Sequence, residues 1–387
     1  MNDFLIVGNV SDDPFALDMG SLCRQAEDIS DLISLKTFAN SEFCPRFIVQ
    51  GDKPSRIGKS MEGKTVVICS TANHQTQTRN ALAMRTFIIA AAAKENGAKK
   101  VILVEPDLFF SAQDRGPNKR SKDDKRARKD LKKFNGQAFT AELYANLLKT
   151  AGVDMVVTVH NHSAAVQSYF SKTFNNEFFN LLPQEVYADY LKRSDMIVTG
   201  KEGDNLILCA PDKGAVPFTN EVFKALDLPK VKIIFMTKER SGERSVKLKI
   251  DPSSDCTIDE IEGKDVIIMD DMVRTGNTVI ECCNILQQAK PNKVCFGVTH
   301  FYSSREARST LNSKALNEIL TLNTIPSILN RDLQGRLRRK MTVLKIEKWI
   351  AKFLLQSIGT ETNQLDKDFY TVDMSSKNPR WRPSAIF

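Results

Sequence analysis

The sequence predicts an α/β fold with two tandem domains, each a mainly parallel sheet flanked by helices. The first observation is length, because 387 residues exceed what a single compact core ordinarily holds. The second is that short apolar runs recur with helix-like segments between them, which is typical of parallel strands covered on both faces. The runs that predict strands are residues 65–70, 101–105, 155–159, 206–210, 232–236, 265–270 and 293–298.

The segments between these runs have helical spacing. In TAELYANLLKTAG, residues 140–152, apolar residues recur every three or four positions, with Thr140 as a candidate N-cap and Gly152 as a stop signal. In sheets of this class, ligands bind where strands end and helices begin. We therefore expect the functional side chains just after the predicted strands.

The composition is that of a globular chain, with 42% hydrophobic and 26% charged residues. The first residues lack a signal-peptide pattern and no apolar run reaches the ~20 residues of a membrane span, so we expect a cytoplasmic protein without membrane contact. The net charge of +8 suits anionic ligands without choosing among them. The eight cysteines form no C-x-x-C pair, which favours reduced thiols over disulfides or a zinc site.

Two segments interrupt the alternation. Residues 115–134 are densely basic and indicate an exposed insertion, whose lack of interleaved aromatic residues disfavours nucleic-acid binding. The tail after Gly359 has no clear period and is expected to be irregular. Just before it, residues 342–358 have helical spacing and enough apolar residues to pack onto a domain.

The stretch VIIMDDMVRTGNTV, residues 266–279, combines two adjacent acids with a loop of small residues. At a strand end, Asp270 and Asp271 would accept hydrogen bonds from two ribose hydroxyls. The loop leads into a helical pattern, so its backbone N–H groups and hydroxyls would surround a phosphate at a helix N-terminus. This combination predicts a ribose 5-phosphate site, with an acidic turn and a capping threonine as the alternative. The loop residues are Thr275, Gly276, Asn277 and Thr278.

This loop resembles the binding loop of phosphoribosyltransferase-type proteins, and the chain from about residue 4 to 355 resembles the ribose-phosphate pyrophosphokinase family. The other motifs that carry the resemblance, in chain order, are KTFANSEFC, SAQD, FTAELYANLLKTAGVDMVVTVHNHSAAVQSYF, LCAPDKGA and TKER. The resemblance implies two phosphoribosyltransferase-type domains: residues 1–164 on the ATP side, with the insertion 115–134, and residues 165–335 on the ribose 5-phosphate side. Residues 336–387 would supply a helix that packs back on the N-terminal domain and an irregular tail.

The activity that the resemblance implies is transfer of the pyrophosphoryl group of ATP to the anomeric hydroxyl of ribose 5-phosphate. The products are phosphoribosyl pyrophosphate, used in nucleotide biosynthesis, and AMP. The transfer builds negative charge on phosphate oxygens, which cations stabilise. Lys238 and Arg240 match the family's catalytic pair on a mobile loop. Without the other motifs, this segment would be a solvated charged hairpin with a Ser-Gly turn.

The resemblance also implies Mg²⁺ as cofactor. Because Mg²⁺ prefers oxygen ligands, Asp212 is the expected protein ligand. His162 matches the family's metal-associated histidine, and His160 would face the same side of a strand as His162.

ATP and ribose 5-phosphate are the expected substrates. Phe38 would stack on adenine, while Asn40 and Glu42 read its polar edge. Gln113 and Asp114 match the family's ATP loop. The family forms homo-oligomers, usually hexamers built from dimers, in which a neighbouring subunit helps to complete the site.

The chain departs from the family pattern at Arg274, Ala112 and His160. Arg115 or the basic insertion would then have to replace the cation missing at Ala112. These departures keep open a catalytically impaired homologue that regulates a true synthetase. A nucleobase phosphoribosyltransferase is a further alternative, but it would not account for the N-terminal half.

Overall fold

The computed structural model describes residues 4–48, 57–72, 77–118, 128–240, 246–360, 362, 365 and 368–373. The chain divides into two compact units, Met1–Leu182 and Pro183–Phe387. The domain boundary was predicted after residue 164, but the first unit extends to Leu182. The helix Ala164–Thr173 and the strand Phe178–Leu181 complete this unit.

The first unit contains a parallel sheet of five strands in the order β1-β4-β5-β6-β7, together with an antiparallel hairpin of β2 and β3. Its elements are β1 (Phe4–Gly8), α1 (Pro14–Leu22), α2 (Ile29–Leu32), β2 (Ile33–Thr37), β3 (Phe43–Phe47), β4 (Thr65–Cys69), α3 (Arg79–Glu95), β5 (Lys100–Val104), α4 (Arg128–Leu131), α5 (Thr140–Thr150), β6 (Met155–Val159), α6 (Ala164–Thr173) and β7 (Phe178–Leu181).

The central strands of this sheet are buried along their whole length. Every residue of β6 is buried, and so is the Val-Ile-Leu-Val run of β5, as continuous apolar strands predict. The helix α5 begins one residue earlier than predicted: Phe139, not Thr140, is its N-cap, and Thr140 is its first helical residue. Gly152 follows the end of α5 with a positive φ of 99°, as a stop signal requires.

The second unit contains a sheet of eight described strands in the order β10-β9-β8-β11-β12-β13-β14-β15. The pairs β9–β10 and β14–β15 are antiparallel and the others parallel. Its elements are α7 (Gln184–Arg193), β8 (Leu206–Ala210), α8 (Val216–Leu226), β9 (Lys232–Arg240), β10 (Val246–Ile250), β11 (Asp265–Val273), α9 (Asn277–Gln288), β12 (Lys293–Phe301), α10 (Arg305–Leu311), β13 (Glu318–Leu322), α11 (Arg331–Gln334), β14 (Met341–Lys345), α12 (Glu347–Ser357) and β15 (Thr371–Asp373). Short 3₁₀ turns in the two units are Lys132–Phe134, Lys201–Gly203, Asp259–Ile261, Pro326–Leu329 and Gly335–Lys340.

The core of the second unit joins the sheet to α9. Val266 and Ile268 of β11 and Phe296 of β12 are fully buried with Cys282 and Leu286 of α9. Burying a side chain of this size contributes roughly 1.5–3 kcal/mol. The start of α9 is therefore fixed relative to the ends of the strands.

The predicted α/β class with mainly parallel sheets is confirmed. The C-terminal segment differs from the expectation, because residues 341–345 form β14 and only Glu347–Ser357 form the helix α12. The tail contributes β15, whose Asp373 accepts a 2.6 Å hydrogen bond from Arg338. Residues 336–387 therefore belong to the second unit and do not form a separate segment. That their helix packs back on the N-terminal domain stays a prediction.

In the basic insertion, residues 119–127 lie outside the described residues, and residues 128–134 form α4 and a 3₁₀ turn without a buried side chain. No helix in the described residues is long and apolar enough to cross a membrane.

Candidate active site

The carboxyl end of β11 carries the two adjacent acids. The strand continues to Val273, three residues beyond its predicted end at Asp270. Its pairing with β12 extends to Val273, whereas the pairing with β8 stops at Ile268. Asp270 and Asp271 thus lie where β8 no longer pairs with the strand and the loop after β8 begins.

Three carboxylates gather at this edge of the sheet. The pKa of Asp270 is raised well above its ordinary range, first by burial, then by the charge of Asp271 and a hydrogen bond with it, and then by the charge of Asp212. The Asp271 N–H also donates a 2.9 Å hydrogen bond to Asp270 Oδ1. Asp212 is held at the start of α8, where its Oδ1 accepts hydrogen bonds from the N–H groups of Gly214 at 2.9 Å and Ala215 at 3.3 Å. This arrangement suits hydroxyl donors and cations.

The predicted phosphate loop lies at the N-terminus of α9. Gly276 is the N-cap with a φ of 84°, and no side chain caps the helix there. Thr275 and Asn277 are exposed, while Thr278 is half-buried in the first turn. The first N–H groups of a helix lack intrahelical partners and attract anions. The structure therefore brings the two acids and the four loop residues to one strand-loop-helix unit.

The helix α10 supports this loop in a way that the sequence analysis missed. Ser304 Oγ donates a 2.7 Å hydrogen bond to the carbonyl of Arg274 and accepts one from Ala307 N, which caps α10. At the other end of α10, a Cβ on Gly276 would lie 2.9 Å from Leu311 Cγ. A serine before a helical pattern is a start signal that could have been found. Its bond to the phosphate loop depends on tertiary structure.

Lys238 and Arg240 lie in β9, not in a loop after a five-residue strand as predicted. They face Leu248 and Val246 of β10 in antiparallel register. The strand β9 is longer than predicted because β10 supplies hydrogen-bond partners as far as Arg240. The side chains of Lys238 and Arg240 and residues 241–245 lie outside the described residues.

The predicted adenine-reading residues lie on the tip of the β2–β3 hairpin, residues 38–42. Phe38 N donates to the carbonyl of Glu42 at 2.8 Å, and Glu42 N donates to Asn40 Oδ1 at 3.2 Å. The Phe38 side chain is 44% exposed, and Lys36 Nζ lies 5.4 Å from its ring centroid. The hairpin tip therefore presents an aromatic face to solvent.

A cavity of about 620 Å³ lies between the hairpin and α3. Glu42 and Phe43 line one wall, and Met84 and Arg85 line the other. The Arg85 guanidinium carbon lies 4.2 Å from the centroid of Phe43, and its NH1 donates to the carbonyl of Asn9 at 2.9 Å. This volume is that of a small-molecule site. Arg85 carries no local motif, which is why the sequence did not reveal it.

Two loops of the first unit meet at Asp114. Its Oδ2 accepts a 2.8 Å hydrogen bond from Ser163 Oγ, and its Oδ1 lies 3.6 Å from Arg115 Nε. Gln113 is held by Thr140, whose Oγ1 donates to Gln113 Oε1 at 2.6 Å. The structure thus brings Asp114 to the loop that carries His162, and Gln113 to the start of α5. The compensating role of Arg115 stays a prediction, and Ala112 is exposed.

The expectation that His160 and His162 share one side of a strand is wrong. The strand β6 ends at Val159, and both histidines lie in the following loop. His160 is buried with a φ of 46°, and its N–H donates to the carbonyl of Leu181, whereas His162 is exposed. Because the left-handed residue breaks the alternation of the strand, the two side chains have different environments.

Buried carboxyls beneath the first sheet's carboxyl edge were also missed. Burial raises the pKa of Glu105 to about 7 and that of Asp13 to about 6. Asp13 accepts a 2.7 Å hydrogen bond from Thr71 Oγ1. Within the described part of the chain, no group of three or more His, Cys, Asp or Glu residues is arranged to hold a metal.

The fold is of the phosphoribosyltransferase type, and the β11-loop-α9 unit is similar to the binding loop of such proteins. In agreement, residues 192–325 match the family described as phosphoribosyl transferase domain.

The curated relatives give a more specific resemblance. The chain is 28% identical over 280 residues to a ribose-phosphate pyrophosphokinase of Helicobacter hepaticus, covering 71% of this chain and 77% of that protein. It is also 28% identical over 270 residues to ribose-phosphate pyrophosphokinase 4 of Saccharomyces cerevisiae, covering 70% and 72%. The fold is similar to that of a phosphoribosylpyrophosphate synthetase from Mycobacterium smegmatis, with a TM-score of 0.66, 21% identity, and 92% and 99% of the two chains covered. The predicted resemblance to the ribose-phosphate pyrophosphokinase family is confirmed.

Proposed function

We propose that this chain is a ribose-phosphate diphosphokinase, which transfers the pyrophosphoryl group of ATP to the anomeric hydroxyl of ribose 5-phosphate for nucleotide biosynthesis. The observation that carries the proposal is the meeting of Asp270, Asp271 and Asp212 at the strand that leads into the glycine-capped start of α9. The names of the relatives support the same activity at 28% identity.

The proposed role of the second unit is to hold the sugar phosphate. The 5-phosphate would accept hydrogen bonds from the first N–H groups of α9 and from the hydroxyls of Thr275 and Thr278. The ribose hydroxyls would donate to Asp270 and Asp271. Because the two groups lie on one rigid strand-loop-helix unit, the sugar would be fixed at both ends, which orients its anomeric hydroxyl for attack.

The attack would fall on the β-phosphorus of ATP. The bond between the anomeric oxygen and the β-phosphorus forms while the bond to the α-phosphate oxygen breaks, and AMP leaves. The hydroxyl proton is lost to the surrounding solvent or to a nearby carboxylate. Lys238 and Arg240 are the proposed cations that stabilise the charge on the transferring oxygens.

The proposed ATP residues are in the first unit. The exposed Phe38 ring would stack on adenine, with Asn40 and Glu42 at its polar edge. Gln113 and Asp114, which Thr140 and Ser163 hold in place, would bind the nucleotide.

Mg²⁺ is part of the proposal. Asp212 supplies the hard carboxylate oxygen that this ion prefers, so this residue fits the ion. Water and substrate phosphate oxygens would supply the other ligands, as is usual for Mg²⁺. His162, an exposed nitrogen ligand in the first unit, is the second proposed metal residue. When bound, the ion would neutralise phosphate charge. We infer from the family resemblance that the chain works in the cytoplasm as a homo-oligomer, of the hexameric kind built from dimers.

Phosphorus NMR of the full chain with ATP, ribose 5-phosphate and Mg²⁺ tests the proposal. We expect AMP together with a pyrophosphate on the anomeric carbon, both dependent on the sugar. A D270N/D271N double variant provides the control and should give neither signal. If the wild-type chain gave neither signal under conditions where a known synthetase works, the proposal would be overturned and the regulatory homologue favoured.

A further inference from the structure

Glu105 is a fully buried carboxyl at the end of β5 that the proposed mechanism does not use. Its Oε1 accepts hydrogen bonds from Ser70 Oγ at 2.8 Å and from Tyr144 Oη at 3.0 Å. Its Oε2 accepts from Tyr144 Oη at 3.1 Å and from Phe109 N at 2.8 Å. The carboxyl therefore ties the neighbouring strand β4 and the helix α5 to the main chain of the loop that follows β5.

That loop, residues 106–117, is named here the Asp114 loop. Near its start, Arg79 of α3 pairs with Asp107, and the Arg79 guanidinium lies 5.1 Å from the ring centroid of Phe109. Phe110 then adopts a positive φ of 61°, which turns the chain. Gln113 N closes this turn with a 2.9 Å hydrogen bond to the carbonyl of Phe110. The bond from Phe109 N to Glu105 thus lies just before the turn that sets the direction of Gln113.

The hydrogen bonds around Glu105 can be satisfied in two protonation states. Ser70 Oγ, which donates to Glu105, also accepts a 3.0 Å hydrogen bond from Asn9 Nδ2. Asn9 is fully buried, and its Oδ1 has no partner in the described residues. If Glu105 took up a proton, it would donate to Ser70, and an amide flip would let Ser70 donate to Asn9 Oδ1. The bond from Phe109 N would then reach a neutral carboxyl, which is a weaker acceptor than a carboxylate.

We propose that Glu105 is a positioning residue for the Asp114 loop, holding it through Phe109 N more firmly when the carboxyl is ionised than when it is neutral. The inference rests on the proposed function only in the further step that the loop presents Gln113 and Asp114 to ATP.

Burial places the protonation transition of Glu105 in the working pH range. Burial raises its pKa to about 7, against the hydrogen bonds from Phe109, Ser70 and Tyr144 and the positive charge of Arg79. The positive charge that acts on Glu105 is that of Arg79 of α3, which pairs with Asp107 of the loop. Tyr144 of α5 is neutral because its pKa is raised well above its ordinary value. The loop is therefore held more firmly as pH rises through about 7.

Hydrogen exchange by mass spectrometry tests the positioning without any substrate. The variant E105Q keeps the shape and an acceptor oxygen but cannot ionise. At pH 8.5, peptides of the Asp114 loop should exchange about fivefold faster in E105Q than in wild type, while at pH 6 the two should agree within about twofold. Comparing proteins at one pH cancels the intrinsic exchange rate. The control E62Q changes an exposed glutamate of the same unit and should match wild type at both values.

Nucleotide affinity provides the second measurement. The ratio of the ATP dissociation constants of E105Q and wild type should rise about fivefold between pH 6 and pH 8.5, and titration of the ATP phosphates cancels in that ratio. The variant Y144F removes one donor from the carboxylate and should move the transition to higher pH. Protection of β5 and β6 in either variant shows that the unit is folded.

The outcomes separate the two proposals. Equal loop exchange in E105Q and wild type at pH 8.5 would overturn the inference. A change in loop exchange with no change in the ATP ratio would reduce Glu105 to a structural residue and would overturn its link to the nucleotide. Faster loop exchange in a protein whose wild type binds no ATP would support the positioning and refute the proposed function.

Discussion

The hydroxyl of Ser163 donates a 2.8 Å hydrogen bond to Asp114 Oδ2, and this contact joins the loop after β5 to the loop after β6. Ser163 Oγ also accepts a hydrogen bond from Val166 N at 3.3 Å and so caps α6. His162 precedes Ser163 in the chain. One serine therefore holds together two predicted ligand residues that are distant in sequence.

Replacement of Ser163 by Ala should weaken ATP binding about fivefold, because Asp114 loses the donor that orients it. The lost cap should also lower the free energy of unfolding by about 1 kcal/mol. Calorimetric titration with ATP and urea unfolding measure the two effects. The matched variant S163T keeps the hydroxyl and should stay near wild type in both. Unaltered ATP affinity in S163A would show that the contact between the loops is not part of the nucleotide site.

Asp270 should make the chain less stable as pH rises. An acid with a raised pKa keeps its proton in the folded chain at pH values where the unfolded chain has released it. Its contribution is fully present below the ordinary value of 3.8 and is lost as pH rises toward the raised folded value. The variant D270N should therefore unfold at higher urea than wild type at pH 8, while it loses affinity for ribose 5-phosphate.

Asp251 provides the opposite control for this experiment. Hydrogen bonds from Ser253 lower its pKa, so its contribution is present above the ordinary value of 3.8 and is lost as pH falls. D251N should lose a little stability at pH 8, where D270N gains it. Parallel pH profiles of wild type and D270N would contradict the assignment of Asp270.

The sequence predicted those parts of the fold whose signal is local. Continuous apolar runs gave the bounds of β6 and β8 without error, because strands buried on both faces need such runs. The strand β14 was read as helix, since the short run TVLK precedes a segment with true helical spacing and its pairing with β13 is visible only in three dimensions. The positive φ of His160 likewise has no sequence signal.

The site divides in the same way. Asp270, Asp271 and the loop to Thr278 could be predicted because the strand, the glycine and the helix start are contiguous. Glu105 could not, because an acid at the end of an apolar run looks like an exposed strand end. Only the packing of β4, α5 and the Asp114 loop shows that it is buried. Buried polar networks join residues that are distant in sequence, and a single sequence does not reveal which of them meet.

Replacement of Lys238 by Ala should lower kcat by roughly 10²-fold or more and leave the dissociation constant for ribose 5-phosphate nearly unchanged. The reason is that the proposed ammonium acts on charge that develops in the transition state. Lys230, which is half-exposed beside Glu202, provides the matched control, and K230A should keep full activity. Equal kcat values for K238A and K230A would show that the catalytic cation lies elsewhere.

Gly276 should tolerate no side chain, for two separable reasons. Its φ of 84° is strained for alanine by about 1–2 kcal/mol, and an added Cβ would lie 2.9 Å from Leu311 Cγ on the supporting helix α10. Gly263 is the control, because alanine there would have the backbone strain but no steric clash: its φ is 72°, and an added Cβ would meet nothing within 4 Å. In urea unfolding, G276A should therefore lose more stability than G263A, and in titration with ribose 5-phosphate only G276A should lose affinity, because the shifted loop misplaces the first N–H groups of α9. If both variants kept the affinity of wild type, the phosphate would have to bind at another place in the chain.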